Sequence, residues 1–579
     1  MSALLPLPDP ASVEPAGLLA ALRAGLAPWE GLGECLRGAG GAAVLLSRYD
    51  LAQELRHEVK SAQDALQAVD DHLDEASAGW PETVLEEVQA AVVRFKDAVW
   101  AVAHDRLARA DGLLGLLGDD VAAPPPVLRA YGALHTALAA LDRLEVRGRD
   151  SAGLHVWVEA DGLSSLEREF GRELAARGGD ELFQSRAVVR RPRGLSFVYK
   201  AAAAVGRLGD NGRALRRAIA TDRLLRAAVE LPGALVTALA HTRWASVGKI
   251  NEGNAHPLNQ QAPDLDGPYV VGALNGDIDN HLALRAEDGI RTSSEITTDA
   301  KLIPVMLARA LRCGPPVERA VRDVVTRFAG SVAIVAQAEP AGDKLLLAVR
   351  GSGQSLYVGL ADDAFVVASE AYGVVGETSR YVRVEGMATG PDGGDQGTIV
   401  VASREGAGTL AGVARYDYRL RPWPVTPDDV RVAEVTTRDV ALGPFEHYLL
   451  KELHEAPVSF RKTLRGRIGQ DDGGLLRARL GPHSLPQEVS DRLRSGEITT
   501  LLLVGQGTAA VACDGIATMW RELMPAGRVE IRALPATELS GFELRPDMGD
   551  TCVVAVSQSG TTTDTNRTVD LARARGATV

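Results

Sequence analysis

Near the C-terminal end the chain carries its most restrictive pattern. Residues 501–504 form an apolar run that stops at Gly505-Gln506-Gly507-Thr508 and gives way to helical periodicity. Residues 552–556 repeat the scheme, ending in Ser557-Gln558-Ser559-Gly560-Thr561-Thr562 before a helical stretch from about 564 to 575. A short strand that is apolar on both faces has to be covered on both faces. A strand, tight loop and helix used twice then imposes parallel pairing with helical crossovers. The pattern predicts a doubly wound parallel α/β sheet over 491–579, with two strands evident. Such sheets bind ligands at the carboxyl edge, where both loops fall. Glycine admits close backbone approach, and hydroxyls and amides at a helix start donate to anions, although the same residues also serve as plain caps and turns.

The chain's beginning reads differently. Leu51, Leu55, Val59, Ala62, Leu66, Val69 and Leu73 recur at steps of three and four, as do Val84, Val88, Ala91, Val92, Phe95 and Val99 beyond a break at Gly79 and Pro81. This predicts an αα-hairpin within a helical region over 1–140, its apolar stripe buried on its own domain rather than docked to a partner. Residues 121–127, with Pro124, Pro125 and Pro126, read as a stiff connector. Short runs rich in Val, Ile and Leu at 154–159, 269–273, 331–337, 344–349, 356–360, 365–368 and 398–402 predict antiparallel sheet with interspersed helices. Residues 190–194 and 391–397 read as breaks.

Composition removes several function classes. At 579 residues the chain expects several domains, and 63 basic against 76 acidic residues argue against a nucleic-acid-binding face. No apolar stretch reaches the roughly 18 residues of a membrane helix, and the start lacks a cationic secretory region. Four scattered cysteines (Cys35, Cys313, Cys513 and Cys552) argue against a disulfide framework and for a reducing cytoplasm. No ligand cluster suggests a metal, and no organic cofactor is implied.

Four motifs occur in order: 147–153 (Arg-Gly-Arg-Asp-Ser-Ala-Gly), 241–245 with 254–257 (His-Thr-Arg-Trp-Ala, Asn-Ala-His-Pro), 274–281 (Leu-Asn-Gly-Asp-Ile-Asp-Asn-His), and 446–468 around Glu446-His447-Tyr448 and Arg465-Gly466-Arg467. Together they resemble the type II glutamine amidotransferase domain and connector of the glutamine–fructose-6-phosphate aminotransferase family. The Ser-x-Ser-Gly-x-Thr loop resembles that family's sugar isomerase (SIS) domain. The resemblance implies an αββα four-layer, N-terminal-nucleophile-type domain over 141–430 with the helical region as elaboration, a connector over 431–490, and a truncated SIS domain over 491–579. The long stretch between Gly153 and His241, including 195–200 and 208–211, reads as an elaboration with helices of its own.

The resemblance also assigns roles. Arg243 would fork onto the α-carboxylate of glutamine, Asp299 would receive its α-ammonium, and Trp244 would close the pocket. The Asn275 side chain and Gly276 backbone would form the oxyanion hole. Gly507, Thr508, Ser557, Gln558, Ser559 and Thr562 would hold a sugar phosphate. His241, His256 and His281 are expected to be structural. The implied partners are L-glutamine and fructose 6-phosphate or a related phosphosugar, in a homodimer of the full-length protein, with no nucleic acid and no membrane. Departures exist: Val247 and Leu258 stand where the family commonly has histidines, Ala509 for a serine, and Thr561 for a glutamate.

The family's nucleophile is an N-terminal cysteine whose thiolate attacks the amide and whose own α-amine is the base. This chain begins Met1-Ser2-Ala3-Leu4 with no Cys-Gly-Ile following, and Cys35 sits within a helical stretch. The expectation is a fragment of a glutamine-dependent amidotransferase whose cysteine lies upstream. The rival readings are a related amidotransferase acting on another ketose phosphate and a catalytically inactive sensor of glutamine or phosphosugar.

Overall fold

The computed structural model describes residues 7–76, 80–118, 120, 122–202, 207–262, 267–390, 393, 396–470, 473–478, 485–558, 560 and 562–579, except 525–526. The chain divides into two compact units, residues 1–76 with 83–460, and residues 77–82 with 461–579.

The strands of the first unit are, in chain order, β1 (Ser151–Glu159), β2 (Val188–Arg191), β3 (Gly194–Ala201), β4 (Leu235–Arg243), β5 (Leu258–Asn259), β6 (Val270–Gly276), β7 (Val332–Ala338), β8 (Ala341–Arg350), β9 (Ser355–Leu360), β10 (Phe365–Ala368), β11 (Arg380–Glu385), β12 (Thr398–Ser403), β13 (Val413–Tyr416) and β14 (Val430–Val432). They form three antiparallel sheets, ordered β2-β3-β1-β4, β13-β12-β8-β7-β6-β5 and β10-β9-β11-β14.

Strand alternation sorts the side chains into layers. Leu154, Val156, Val158, Leu195, Phe197 and Tyr199 face the helices Pro125–Leu144, Asp210–Ala220 and Arg223–Val229. On the opposite face, Trp157, Val198 and Leu239 meet Tyr269, just before β6, and Val271 within it. The far half of that sheet packs Leu347, Val349 and Val400 on Leu356, Val358, Val382 and Val384 of the third sheet. Its outer face is covered by Leu302–Leu311 and Val317–Val325 through Ile303, Leu307, Val321 and Val324. The order is helices, two sheets side by side, one six-stranded sheet, helices: the four layers expected.

Three expectations need correction. Residues 190–194 are not a break but the tight turn of the β2–β3 hairpin, with Arg191 paired to Gly194. Residues 195–200 are not part of a helical elaboration. They lie in β3, paired along its length with β1: Leu195, Phe197 and Tyr199 pack on the helices, while Ser196, Val198 and Lys200 are buried on the opposite face. Pro125 and Pro126 open a helix rather than extend a connector, since proline is tolerated in a first turn.

The αα-hairpin comprises Tyr49–Ala76 and Glu82–Trp100, the latter running on as a π-type segment, Ala101–Leu107. Its stripe is buried, an ion pair joins Asp70 to Lys96, and the region is locked onto the rest of its unit. Arg106 donates to the Gly376 carbonyl, Arg109 pairs with Glu377, and Trp100 Nε1 donates to Thr437 Oγ1 at 3.0 Å.

In the second unit, β15 (Ile468–Gln470) pairs antiparallel with β16 (Leu476–Ala478). The strands β17 (Thr500–Gly505), β18 (Glu530–Pro535) and β19 (Thr551–Ala555) form a parallel sheet ordered β18-β17-β19. The sequence pattern showed only two of these. The third, Glu-Ile-Arg-Ala-Leu-Pro, is half-exposed at the sheet edge and so carries polar residues. A further parallel bridge joins Cys552 to Thr578.

Candidate active site

The ends of β4 and β6 in the first unit open onto one cavity of about 1000 Å³. Arg243 (last residue of β4), Trp244, Asn275 and Gly276 (end of β6) and Asp299 all line it, so every amidotransferase position singled out in the sequence borders the same space. Arg243 and Asp299 are 4% and 5% exposed, whereas Trp244 is 70% exposed.

The Arg243 fork is held by the loop that follows it. It donates to the carbonyl of Lys249 at 3.0 Å and to that of Val247. Burial pushes its pKa down, while the carboxylates of Asp299 and Asp150 pull the other way. Asp150 also accepts from the Ala245 backbone N–H at 2.8 Å, which fixes the turn leaving β4.

Asp299 stands at the start of a short 3-10 turn, Asp299–Lys301, leading into the helix Leu302–Leu311. Its carboxylate accepts from the N–H groups of Ile278 (2.8 Å) and Ala300 (2.9 Å), tying the loop after β6 to the helix start. Asn254, not singled out for a role from the sequence, is the residue that positions this turn. Its Oδ1 accepts from the Thr297 and Thr298 N–H groups at 2.7 and 3.0 Å, and its Nδ2 donates to the Glu295 carbonyl at 2.7 Å. The signal was present in the Asn-Ala-His-Pro motif, but the partner segment lies about forty residues on and only folding brings it near.

Gly276 has φ +104°, and an added Cβ would lie 2.0 Å from the Ser331 carbonyl oxygen. Only glycine fits there, which leaves this backbone beside the exposed Asn275 side chain. His256 is buried with Nε2 3.3 Å from Thr298 Oγ1, and its ring lies 4.5 Å from that of His241. Burial pushes the His241 pKa to about 4 and that of His256 well below the ordinary value, so both rings are neutral at pH 7. The His281 Nδ1 lies 3.0 Å from the Ile278 carbonyl. None of the four cysteines lines the cavity. Among the described residues, no group of His, Cys, Asp and Glu is arranged to hold a metal ion.

In the second unit, β17 and β19 are neighbours, so their following loops share one sheet edge. Gly507 (φ +58°) caps the helix Thr508–Leu523, and Thr562 caps Thr563–Arg573. Ser557 Oγ accepts from the Gly560 N–H at 3.0 Å, and Asn566 Nδ2 donates to the Gly560 carbonyl at 3.0 Å, a contact the sequence reading did not anticipate. Gln558 is exposed beside them, while Ser559 and Thr561 lie outside the described residues.

The chain is 32% identical over 361 residues to the glutamine–fructose-6-phosphate aminotransferase (isomerizing) of Symbiobacterium thermophilum, covering 60% of this chain and 51% of that protein. The chain is similar to glutamine–fructose-6-phosphate aminotransferases. The Chlorobaculum tepidum enzyme is 29% identical over 350 residues (59% and 50%), and that of Aquifex aeolicus 26% over 472 residues (80% and 60%). The chain thus spans about half the length of the first curated relatives it matches. No family model matches. Two solved structures, the allosteric regulatory enzyme of purine biosynthesis and a glutamine phosphoribosylpyrophosphate amidotransferase from B. subtilis, align over 76% of the chain at 16% and 15% identity. Both TM-scores are 0.32. Among the described residues no helix is long and apolar enough to cross a membrane.

Proposed function

We propose that the first unit binds glutamine for amide transfer and that the second begins the module receiving the nitrogen on fructose 6-phosphate. The longer protein would make glucosamine 6-phosphate in the cytoplasm, as a homodimer. The observation that carries this reading is the convergence of Arg243, Asn275, Gly276 and Asp299 on one cavity. Arg243 takes the α-carboxylate of glutamine, Asp299 the α-ammonium, and Asn275 Nδ2–H with the Gly276 N–H the carboxamide oxygen.

The chemistry is acyl transfer. A cysteine thiol gives its proton to an adjacent amine, and the thiolate adds to the carboxamide carbon. The oxyanion sits on Asn275 and Gly276 until the C–N bond breaks, with the amine returning the proton to the departing ammonia. Water then cleaves the thioester, releasing glutamate and restoring the thiol. One preorganised oxyanion donor contributes on the order of 100- to 1,000-fold in rate. In the second unit, the Gly507–Thr508 and Ser557–Thr562 loops hold the sugar phosphate at the sheet edge.

A second reading, glutamine sensing without turnover, is favoured by the absence of a cysteine among the cavity-lining residues. Calorimetry with glutamine tests what both readings share: binding is expected, and its loss in Arg243→Ala with an unchanged fold would support the clamp. Failure of the chain to bind glutamine at millimolar concentration would overturn both. Glutamate release separates turnover from sensing.

A further inference from the structure

The groups assigned to the two ends of glutamine ride on different sheets. Arg243 closes β4, in the four-stranded sheet built around β1, whereas Asn275 and Gly276 close β6, in the six-stranded sheet. The distance between the α-carboxylate grip and the oxyanion donors therefore depends on how the loops leaving β4 and β6 are joined. The loop after β4 has little packing to hold it: Trp244, Ser246, Gly248, Lys249 and Ile250 are all exposed. A loop with few buried contacts keeps its place through its hydrogen bonds.

Among the described residues, three hydrogen bonds tie this loop to other segments, and each leads to a different part of the site. The Ala245 N–H donates to Asp150, just before β1, at 2.8 Å. The Lys249 N–H donates to Thr297 Oγ1, two residues before Asp299, at 2.9 Å. The Ser246 hydroxyl donates to the Asp277 carboxylate at 2.6 Å, the length of a charge-assisted bond. Asp277 directly follows the oxyanion glycine, and its own N–H is fixed on the Ser331 carbonyl at 3.1 Å. Among the described residues, the Ser246–Asp277 bond is the one hydrogen bond that joins the stretch 243–250 to the stretch 275–278.

The three grips are thus braced as a triangle. The loop of Arg243 is joined to the turn of Asp299 through Lys249 and Thr297, and an ion pair of Lys249 with Glu295 at 3.5 Å supports the same side. Asp299 is joined to the turn after Gly276 through the Ile278 N–H at 2.8 Å. Ser246 and Asp277 form the third side. With that side cut, Arg243 and Asp299 stay together at the amino-acid head, but the loop of Arg243 can hinge away from the oxyanion donors.

We infer that the Ser246–Asp277 bond sets the span between the α-carboxylate grip and the oxyanion donors, which makes Asp277 a positioning residue that selects glutamine over its shorter homologue asparagine. It acts through Ser246 and does not itself touch the amino acid. Asparagine, one methylene shorter, engages the head grips alone and gains nothing from a fixed span; glutamine reaches both ends and does. The inference rests on the glutamine reading above, and it adds to that reading the residue pair that measures substrate length.

The test uses the whole 579-residue chain, unmodified and as Asp277→Ala, Asp277→Asn, Ser246→Ala and the Ser246→Ala/Asp277→Ala double variant. Calorimetry is run with glutamine and with asparagine, and hydrogen exchange of the 244–250 amides is read without ligand. Asp277→Ala should weaken glutamine about tenfold and asparagine by less than about twofold, a loss at the low end of the roughly 10- to 200-fold that one methylene is worth in a fitted site. Asp277→Asn, whose amide oxygen still accepts from Ser246, should hold glutamine within about threefold of the unmodified chain. Ser246→Ala should match Asp277→Ala, and the double variant should add nothing to either, because both cut the same bond. Exchange at Ala245 and Lys249 should quicken about tenfold in Asp277→Ala at an unchanged urea midpoint. Equal losses for glutamine and asparagine without rescue in Asp277→Asn would mean that Asp277 meets the α-ammonium itself, and would overturn the inference. Additive losses in the double variant, or unchanged glutamine affinity in Asp277→Ala, overturn it as well. Unchanged exchange in Asp277→Ala overturns the bracing whatever the ligands do. An unmodified chain that binds no glutamine refutes the glutamine reading and the length selection with it, whereas glutamine bound without these differences refutes the selection alone.

Discussion

The contribution of Asn254 can be worked from its contacts. The residue is fully buried, and Asn254→Ala removes the partners of three backbone groups at once, the N–H groups of Thr297 and Thr298 and the carbonyl of Glu295. A buried polar group left unsatisfied costs about 1–3 kcal/mol, so even the low end gives about 3 kcal/mol for the three together. The loss should also loosen Asp299, the next residue along, whose carboxylate joins the Ile278 and Ala300 amides. The expected result is a urea midpoint lowered by an amount worth about 3 kcal/mol or more at unchanged slope, together with glutamine affinity reduced at least tenfold. A midpoint change worth under about 1 kcal/mol with glutamine affinity intact would refute the reasoning, because it would mean that the 295–299 turn holds its place without the asparagine.

Three further outcomes follow from particular side chains. Arg243→Lys should leave the fold intact but weaken glutamine binding roughly 10- to 100-fold by calorimetry, since an ammonium cannot reproduce a planar two-pronged grip. Burial holds the His155 pKa at about 3 and that of His256 well below its ordinary value, so the unfolded chain binds more protons than the folded one once pH drops below about 6.5. Stability should be full above that pH and fall steadily toward pH 3, and a urea midpoint flat from pH 7 to 4 would contradict this. Lys200 is buried, its Nζ has no hydrogen-bond partner, and burial lowers its pKa to about 7. Lys200→Met should therefore raise the urea midpoint at pH 7, and a lowered one would show that the ammonium is needed.

The sequence by itself determined whatever rests on local spacing. The helical hairpin, most of the antiparallel strands and both strand–loop–helix units are written in hydrophobic period, because burial of one face or two leaves a different repeat in each case. Arg243, Asn275, Gly276 and Asp299 were legible only through motifs that together resemble a known family; read singly, each fits an ordinary ion pair, turn or helix start. Tertiary structure alone decided the rest. β3 was misread because, buried on both faces and beside polar turns, it carries no outward polar alternation to mark it. β18 was missed because an edge position tolerates Glu530, Arg532 and Pro535. The role of Asn254 depends on segments far apart in the chain, and no local pattern records which distant turn it will meet. Hydrophobic period says which face is covered; only the packed layers say by what.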